Sequence, residues 1–174
     1  VGIVQLREKS LPDRELLARA RQVRRWCREA GVLFVVNDRP DIAVLSEADG
    51  VHLGQDDVAI ADARQIVGPD RLIGASTHDL AQVREAVQAG ADYLGVGPTF
   101  PSKTKSFAAL AGLDFVRAAS EETALPAFAL GGIDANNVRD AGAAGAKRVA
   151  VAAAVAACSD PRAAAKAIRS ALPD

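Results

Sequence analysis

Two acids and three bases, far apart along the chain, make up the set of residues best suited to chemistry. Asp38 and Asp57 supply carboxylates, and Arg7, Lys9 and Lys105 supply positive charge. Carboxylate oxygens hold Mg2+ when substrate phosphates complete its shell. Arginine grips a diphosphate through its planar fork, and lysine does so as a point charge. Asn37, Ser76, Ser102 and Thr104 add neutral hydrogen-bonding groups. Gly131-Gly132 would let backbone N–H groups approach a second phosphate at a helix start. Each has a plainer reading when taken singly. Asp38 could cap the next helix, and Asp57 could be an acid at a helix N-terminus. Arg7-Glu8-Lys9 could be a solvated turn, Gly131-Gly132 only a turn, and His52 a structural histidine.

The elements that must position these residues decide between the two accounts. Short β-branched runs lie at Gly2–Leu6, Leu33–Val36, Gly50–Leu53, Leu72–Gly74, Tyr93–Val96, Ala127–Leu130 and Arg148–Val151. They lack polar alternation, as buried parallel strands do. Between them the apolar spacing is helical. Leu16, Leu17, Ala20, Val23 and Cys27 line one face of a helix over 12–30, and Leu80, Val83, Ala86 and Val87 line another. Gly31, Gly90 and Gly145 follow helices where a left-handed residue is wanted.

The polar groups follow the strands: Gln5 to Lys9, Asn37-Asp38-Arg39, Gly54 to Asp57, Ala75 to His78, Gly97 to Lys105, and Gly131 to Asp134. In a (β/α)8 barrel such segments converge on the C-terminal face, where catalysis sits. No strand leads into a G-x-G-x-x-G turn, which disfavours an open dinucleotide-binding sheet. The expected fold is therefore an α/β TIM barrel formed as one domain over residues 1–174. It shows seven strands of the usual eight, the first apparently missing at the N-terminus.

Composition agrees. At 49% hydrophobic and 25% charged residues the chain reads as a globular domain, and 4% aromatics leave the core to Val, Ile, Leu and Ala. A net charge of -1 supplies no broad basic field for nucleic acid. The longest apolar run, Val149 to Cys158, falls short of the ~20 residues of a membrane span. No secretory signal pattern opens the sequence. Cys27 and Cys158 stand in no metal-ligand spacing and read as reduced thiols of a cytoplasmic protein.

At these residues the chain resembles the thiamine-phosphate synthase family. The likeness runs in order through Val4 to Lys9, Asn37-Asp38-Arg39, Ala48 to Asp57, Ser76-Thr77-His78, Ala91-Asp92-Tyr93 to Pro98, Ser102 to Lys105, Gly131-Gly132-Ile133 and Val149 to Val151. It implies a barrel enzyme, a transferase of thiamine biosynthesis. The reaction joins a hydroxymethylpyrimidine diphosphate to a thiazole phosphate, giving thiamine phosphate and diphosphate. By the resemblance Asp38 and Asp57 would hold Mg2+, and Arg7, Lys9, Asn37, Ser76 and Lys105 would grip the leaving diphosphate. Gln5 would contact the pyrimidine, with His52 and Tyr93 near it. Ser102, Thr104, Gly132 and the backbone at Ala152 and Ala153 would hold the thiazole phosphate. Ser102 stands where the family usually has Thr, and Ala152-Ala153-Ala154 where a Ser is more usual, which removes one hydroxyl but leaves backbone donors. A thiazole tautomerase of the same fold, a non-catalytic thiamine-phosphate binder and a sugar-phosphate isomerase are the competing readings. The last needs an acid–base pair facing a carbonyl, and no pair suits better than the acids already assigned.

Overall fold

The computed structural model describes residues 1–101 and 110–173. Strands and helices alternate: β1 (Ile3–Leu6), α1 (Asp13–Ala30), β2 (Leu33–Asn37), α2 (Pro40–Leu45), β3 (Gly50–Leu53), α3 (Ile60–Val67), β4 (Leu72–Thr77), α4 (Leu80–Gln88) and β5 (Tyr93–Val96). They continue with α5 (Gly112–Glu122), β6 (Ala127–Leu130), α6 (Val138–Ala143), β7 (Val149–Ala150), α7 (Ala153–Ala156) and α8 (Pro161–Ala171). The strands follow one another in chain order in one seven-stranded sheet. The registered pairs β1–β2, β2–β3, β3–β4, β5–β6 and β6–β7 are all parallel. Among the described residues no helix is long and apolar enough to cross a membrane. The chain divides into two compact units, Val1–Ala75 with Ala89–Asp92, and Ser76–Gln88 with Tyr93–Asp174.

In the first unit α1 forms as its spacing requires. Leu16, Ala20 and Cys27 are buried, Asp13 and Glu15 sit in the first turn, and Arg28 sits in the last. Those charges complement the helix dipole. Gly31 ends the helix at φ 65° and donates to the Arg28 carbonyl, a conformation that costs glycine nothing. Leu16, Ala20 and Cys27 join Phe34, Val36, Ile42, Ala43, Val51, Leu53, Ala63, Val67 and Ile73 in one core, with Val4 and Leu6 packed against it. Burying one such Leu or Ile is worth about 1.5–3 kcal/mol.

Because side chains alternate along a strand, this core fixes the opposite face. Val4 and Leu6, Phe34 and Val36, and Val51 and Leu53 point to the helices. Gln5, Val35, Asn37 and His52 therefore point the other way. Register aligns them: Gln5 pairs with Val35 and Asn37 with His52.

The beginnings of the strands are clamped. Asp49 accepts the Phe34 N–H at 2.8 Å and Arg24 Nη1 at 2.6 Å. Asp92 repeats the arrangement, accepting the Ile73 N–H and Arg64 Nη2, each at 2.7 Å.

In the second unit α5 packs on β5 and β6, and α8 packs on α6 and α7. Tyr93 and Phe128 meet edge to face with centroids 5.7 Å apart. The strand ends differ slightly from the sequence reading. β4 runs on through Ala75-Ser76-Thr77, which read as loop, because Thr77 stays tied to the neighbouring segment. Its hydroxyl donates to the Gly95 carbonyl at 3.1 Å, and its carbonyl accepts the Gly97 N–H at 3.2 Å. Backbone pairing of that kind leaves no trace in the apolar pattern.

Candidate active site

Three neighbouring strand ends of the first unit bring Lys9, Asp38 and Asp57 together. Lys9 Nζ lies 3.1 Å from Asp38 Oδ2. Asp57 Oδ2 accepts the Gly54 N–H at 2.6 Å, and its carboxyl lies beside that of Asp38. Gly54 permits this approach, since a Cβ there would sit 3.0 Å from Asp57 Oδ2. Neither acid takes its plainer role. The residue capping α2 is Arg39, with no side-chain cap bond, and α3 begins three residues beyond Asp57.

The electrostatics are those of acids pressed together. Asp57 is pushed above the ordinary carboxylate range, first by burial and then by the Asp38 carboxyl beside it, while the Gly54 N–H and Lys9 pull it back. Two carboxyls in contact must share a proton unless a cation takes its place. A hard divalent ion fits that donor set. Among the described residues no group of three or more His, Cys, Asp or Glu is placed to hold a metal. An ion held there would need phosphate and water to complete its shell, as Mg2+ commonly does.

His52 is buried behind the pair at 6% exposure. Burial pushes its pKa down to about 4, with the Asp38 charge opposing, so the ring is neutral at pH 7. Asn37 and His52 share the inner face with Gln5, whose side chain is exposed. Arg7 is exposed just beyond β1.

The second unit carries the residues expected to hold phosphate. Gly131 and Gly132 have φ of 96° and 63°. A Cβ on Gly132 would collide with the Pro101 and Phe100 carbonyl oxygens, so only glycine fits. The two glycines do not open a helix, as their sequence suggested. α6 begins at Val138, because Asp134-Ala135-Asn136-Asn137 intervenes as a turn closed by its own side chains. Asn137 Oδ1 accepts the Asp134 N–H and its Nδ2 donates to the Gly132 carbonyl, both at 2.9 Å. The Phe100 N–H donates to the Gly131 carbonyl at 3.0 Å. Ser76 lies in β4, Tyr93 is buried at the start of β5, and Ala152 and Ala153 form the exposed junction between β7 and α7. Ser102, Thr104 and Lys105 lie outside the described residues.

Sequence reasoning gave Asn137 and Arg39 no role. Asn137 carries the Asx signal of a side chain bonding its own turn. Arg39 had one visible hint, Asp41 two residues on; its other partner, Asp13, is brought near only by folding.

Fold and centre together define a parallel α/β protein with a paired-carboxylate, lysine-flanked site at its strand ends. More narrowly, the chain belongs to the thiamine monophosphate synthase family, whose model matches residues 1–155. It is 51% identical to a thiamine-phosphate synthase of Synechococcus sp. (strain CC9311), over 92% of this chain and 46% of that one. A thiamine-phosphate synthase of Nostoc sp. (strain PCC 7120) is 49% identical over 86% of this chain and 42% of its own length. The chain thus spans about half the length of these curated relatives. Among solved structures it is similar to thiamine phosphate pyrophosphorylase from Pyrococcus furiosus, with a TM-score of 0.91 and 38% identity, covering 98% of this chain and 82% of that one.

Proposed function

We propose that this chain carries thiamine-phosphate synthase activity: transfer of a hydroxymethylpyrimidine group from its diphosphate to a thiazole phosphate, with release of diphosphate. Its seven strands belong, on this reading, to a single (β/α)8 barrel domain of a cytoplasmic enzyme, the first strand not being among them. The observation that carries the proposal is the contact of Asp38 with Asp57 beside Lys9 in a chain of this family.

Asp38 and Asp57 would hold Mg2+, which when bound would supply charge to offset that of the departing diphosphate. By the family resemblance Arg7, Lys9, Asn37, Ser76 and Lys105 would grip that diphosphate as its C–O bond breaks. Preorganised donors of this kind are worth about 10²–10³ in rate each. Gln5, His52 and Tyr93 border the pyrimidine, and the neutral His52 ring places no charge against the cation that forms there. Ser102, Thr104, Gly132 and the backbone at Ala152 and Ala153 hold the thiazole phosphate, so that its ring nitrogen attacks that cation. The thiazole nitrogen is the nucleophile, and no Ser–His–Asp or activated cysteine is called for.

The test is a coupling assay with both substrates and Mg2+, following thiamine phosphate and diphosphate together. Product that disappears with a chelator, returns with Mg2+, and is lost in the Asp38→Ala, Asp57→Ala double variant is the expected result. Thiazole tautomerisation without coupling, or turnover unchanged in the double variant, refutes it.

A further inference from the structure

Asp38 occupies a left-handed backbone conformation, uncommon outside glycine though aspartate tolerates it better than most residues. Its φ is 64°, and the Arg39 N–H donates to the Asn37 carbonyl at 2.8 Å. Together these define a three-residue turn centred on Asp38, of the rare positive-φ kind. Such strain persists only where the surroundings over-determine it. On the upstream side the sheet does so, because the Asp38 N–H donates to the His52 carbonyl at 2.8 Å.

Downstream, the restraint comes from Arg39. Its guanidinium forks onto Asp41, Nε to Oδ1 at 2.9 Å and Nη2 to Oδ2 at 2.7 Å. Its Nη1 reaches Asp13 Oδ1, at the first residue of α1, at 2.7 Å. One side chain thereby ties the start of α2 to the start of α1, directly after the strained residue. An exposed ion pair taken singly contributes little. A bidentate fork with a third bond to another helix is stronger and directional. The charge is held: the hydrogen bonds that Arg39 donates to Asp41 and Asp13 raise its pKa, and Arg39 lowers that of Asp41.

We infer that Arg39 is a positioning residue for the carboxylate centre: its three-bond tie keeps the turn at Asp38 closed, and so keeps the Asp38 carboxyl against Asp57. The inference rests on the reading of Asp38 and Asp57 as metal ligands. Arg39 touches neither substrate nor ion in this scheme and acts through Asp38 alone.

The experiment titrates Mn2+, in the presence of inorganic diphosphate, into the intact protein and its Arg39→Gln and Arg39→Lys variants, read by electron paramagnetic resonance. Binding about 10–100-fold weaker is expected in both variants, as for other residues that orient a metal ligand. Lysine fails to rescue because an ammonium cannot fork. In an Asp38→Ala background, Arg39→Gln is expected to have no further effect on Mn2+ binding. If Arg39→Gln does not fold, the Asp13→Asn and Asp41→Asn variants, each removing one arm of the tie, are expected to give smaller losses in the same direction. Wild-type affinity in the folded Arg39→Gln variant, or in both arm variants, overturns the inference alone, as does full rescue by Arg39→Lys. Wild-type protein that binds no Mn2+ overturns the metal-site reading and this inference with it.

Discussion

Acid should strip this protein of stability through one buried ring. His52 is 6% exposed, and burial lowers its pKa from the ordinary 6.5 to about 4. A depressed pKa means the unfolded chain takes up the proton first. The group's contribution is therefore intact above pH 6.5 and is lost as pH falls toward 4. Integrating proton uptake over that window gives about 2 kcal/mol lost between pH 7 and pH 5. The Asp57 shift has the opposite sign, since a raised carboxyl pKa favours the folded state as pH falls, and it is common to any pair of proteins differing only at position 52. Urea unfolding of wild type and His52→Gln, in chelator at pH 7, 6 and 5, isolates the histidine. With a slope of ~1–3 kcal/mol per molar urea, the wild-type midpoint should fall relative to the variant by about 1 M. Parallel loss of stability in the two proteins would refute the assignment of a neutral buried imidazole.

Other substitutions probe the remaining parts. Gly132→Ala places a Cβ against two carbonyl oxygens at φ 63°. It should cost about 1–3 kcal/mol in thermal or urea unfolding, with KM for the thiazole phosphate rising more than KM for the pyrimidine diphosphate. Asp49→Ala strands the Phe34 N–H and Arg24. It should lower stability by about 1–3 kcal/mol while leaving Mn2+ binding by the folded protein unchanged. Asp38→Gly relieves the positive φ and removes the acid beside Asp57, at the expense of the pair with Lys9. The variant should be about 1 kcal/mol more stable than wild type by chemical unfolding and should bind no Mn2+ with diphosphate.

Much of this architecture was legible because it is written in apolar spacing. The start of α1 at Asp13, its stop at Gly31 and the alternation of strands with helices all follow from side chains that must be buried. Polar residues were harder to read. Whether His52 faced the helices or the other side could not be told from a lone histidine; it took the parity of Val51 and Leu53 in the core to settle it. Ser76 read as loop because backbone bonds, not apolar side chains, carry β4 to Thr77. The Gly131-Gly132 pair looked like a helix start, and the intervening Asp134–Asn137 turn, built from side-chain to backbone bonds, was invisible to periodicity. Arg39 escaped notice since its partner Asp13 is distant in sequence and only folding brings them within 2.7 Å.

The first unit uses aspartate in two opposite ways, and the contrast bears on where function lies. Before β3, Asp49 meets a guanidinium and a backbone N–H. Both are charge-assisted bonds, so the group stabilises the fold as it stands. Beyond the other ends of β2 and β3, Asp38 is held in a strained turn and Asp57 is set against it, its pKa raised by burial and by that neighbour. Lys9 meets Asp38 and the Gly54 N–H meets Asp57, but neither bond requires the two carboxyls to lie side by side. Departures from local consistency that survive in a natural chain are compensated by something outside the fold. On the proposed reading the compensating partner is a cation of matching charge together with its phosphate ligand, which would make the ends of β2 and β3 the working face of this unit and their beginnings the part that holds it together.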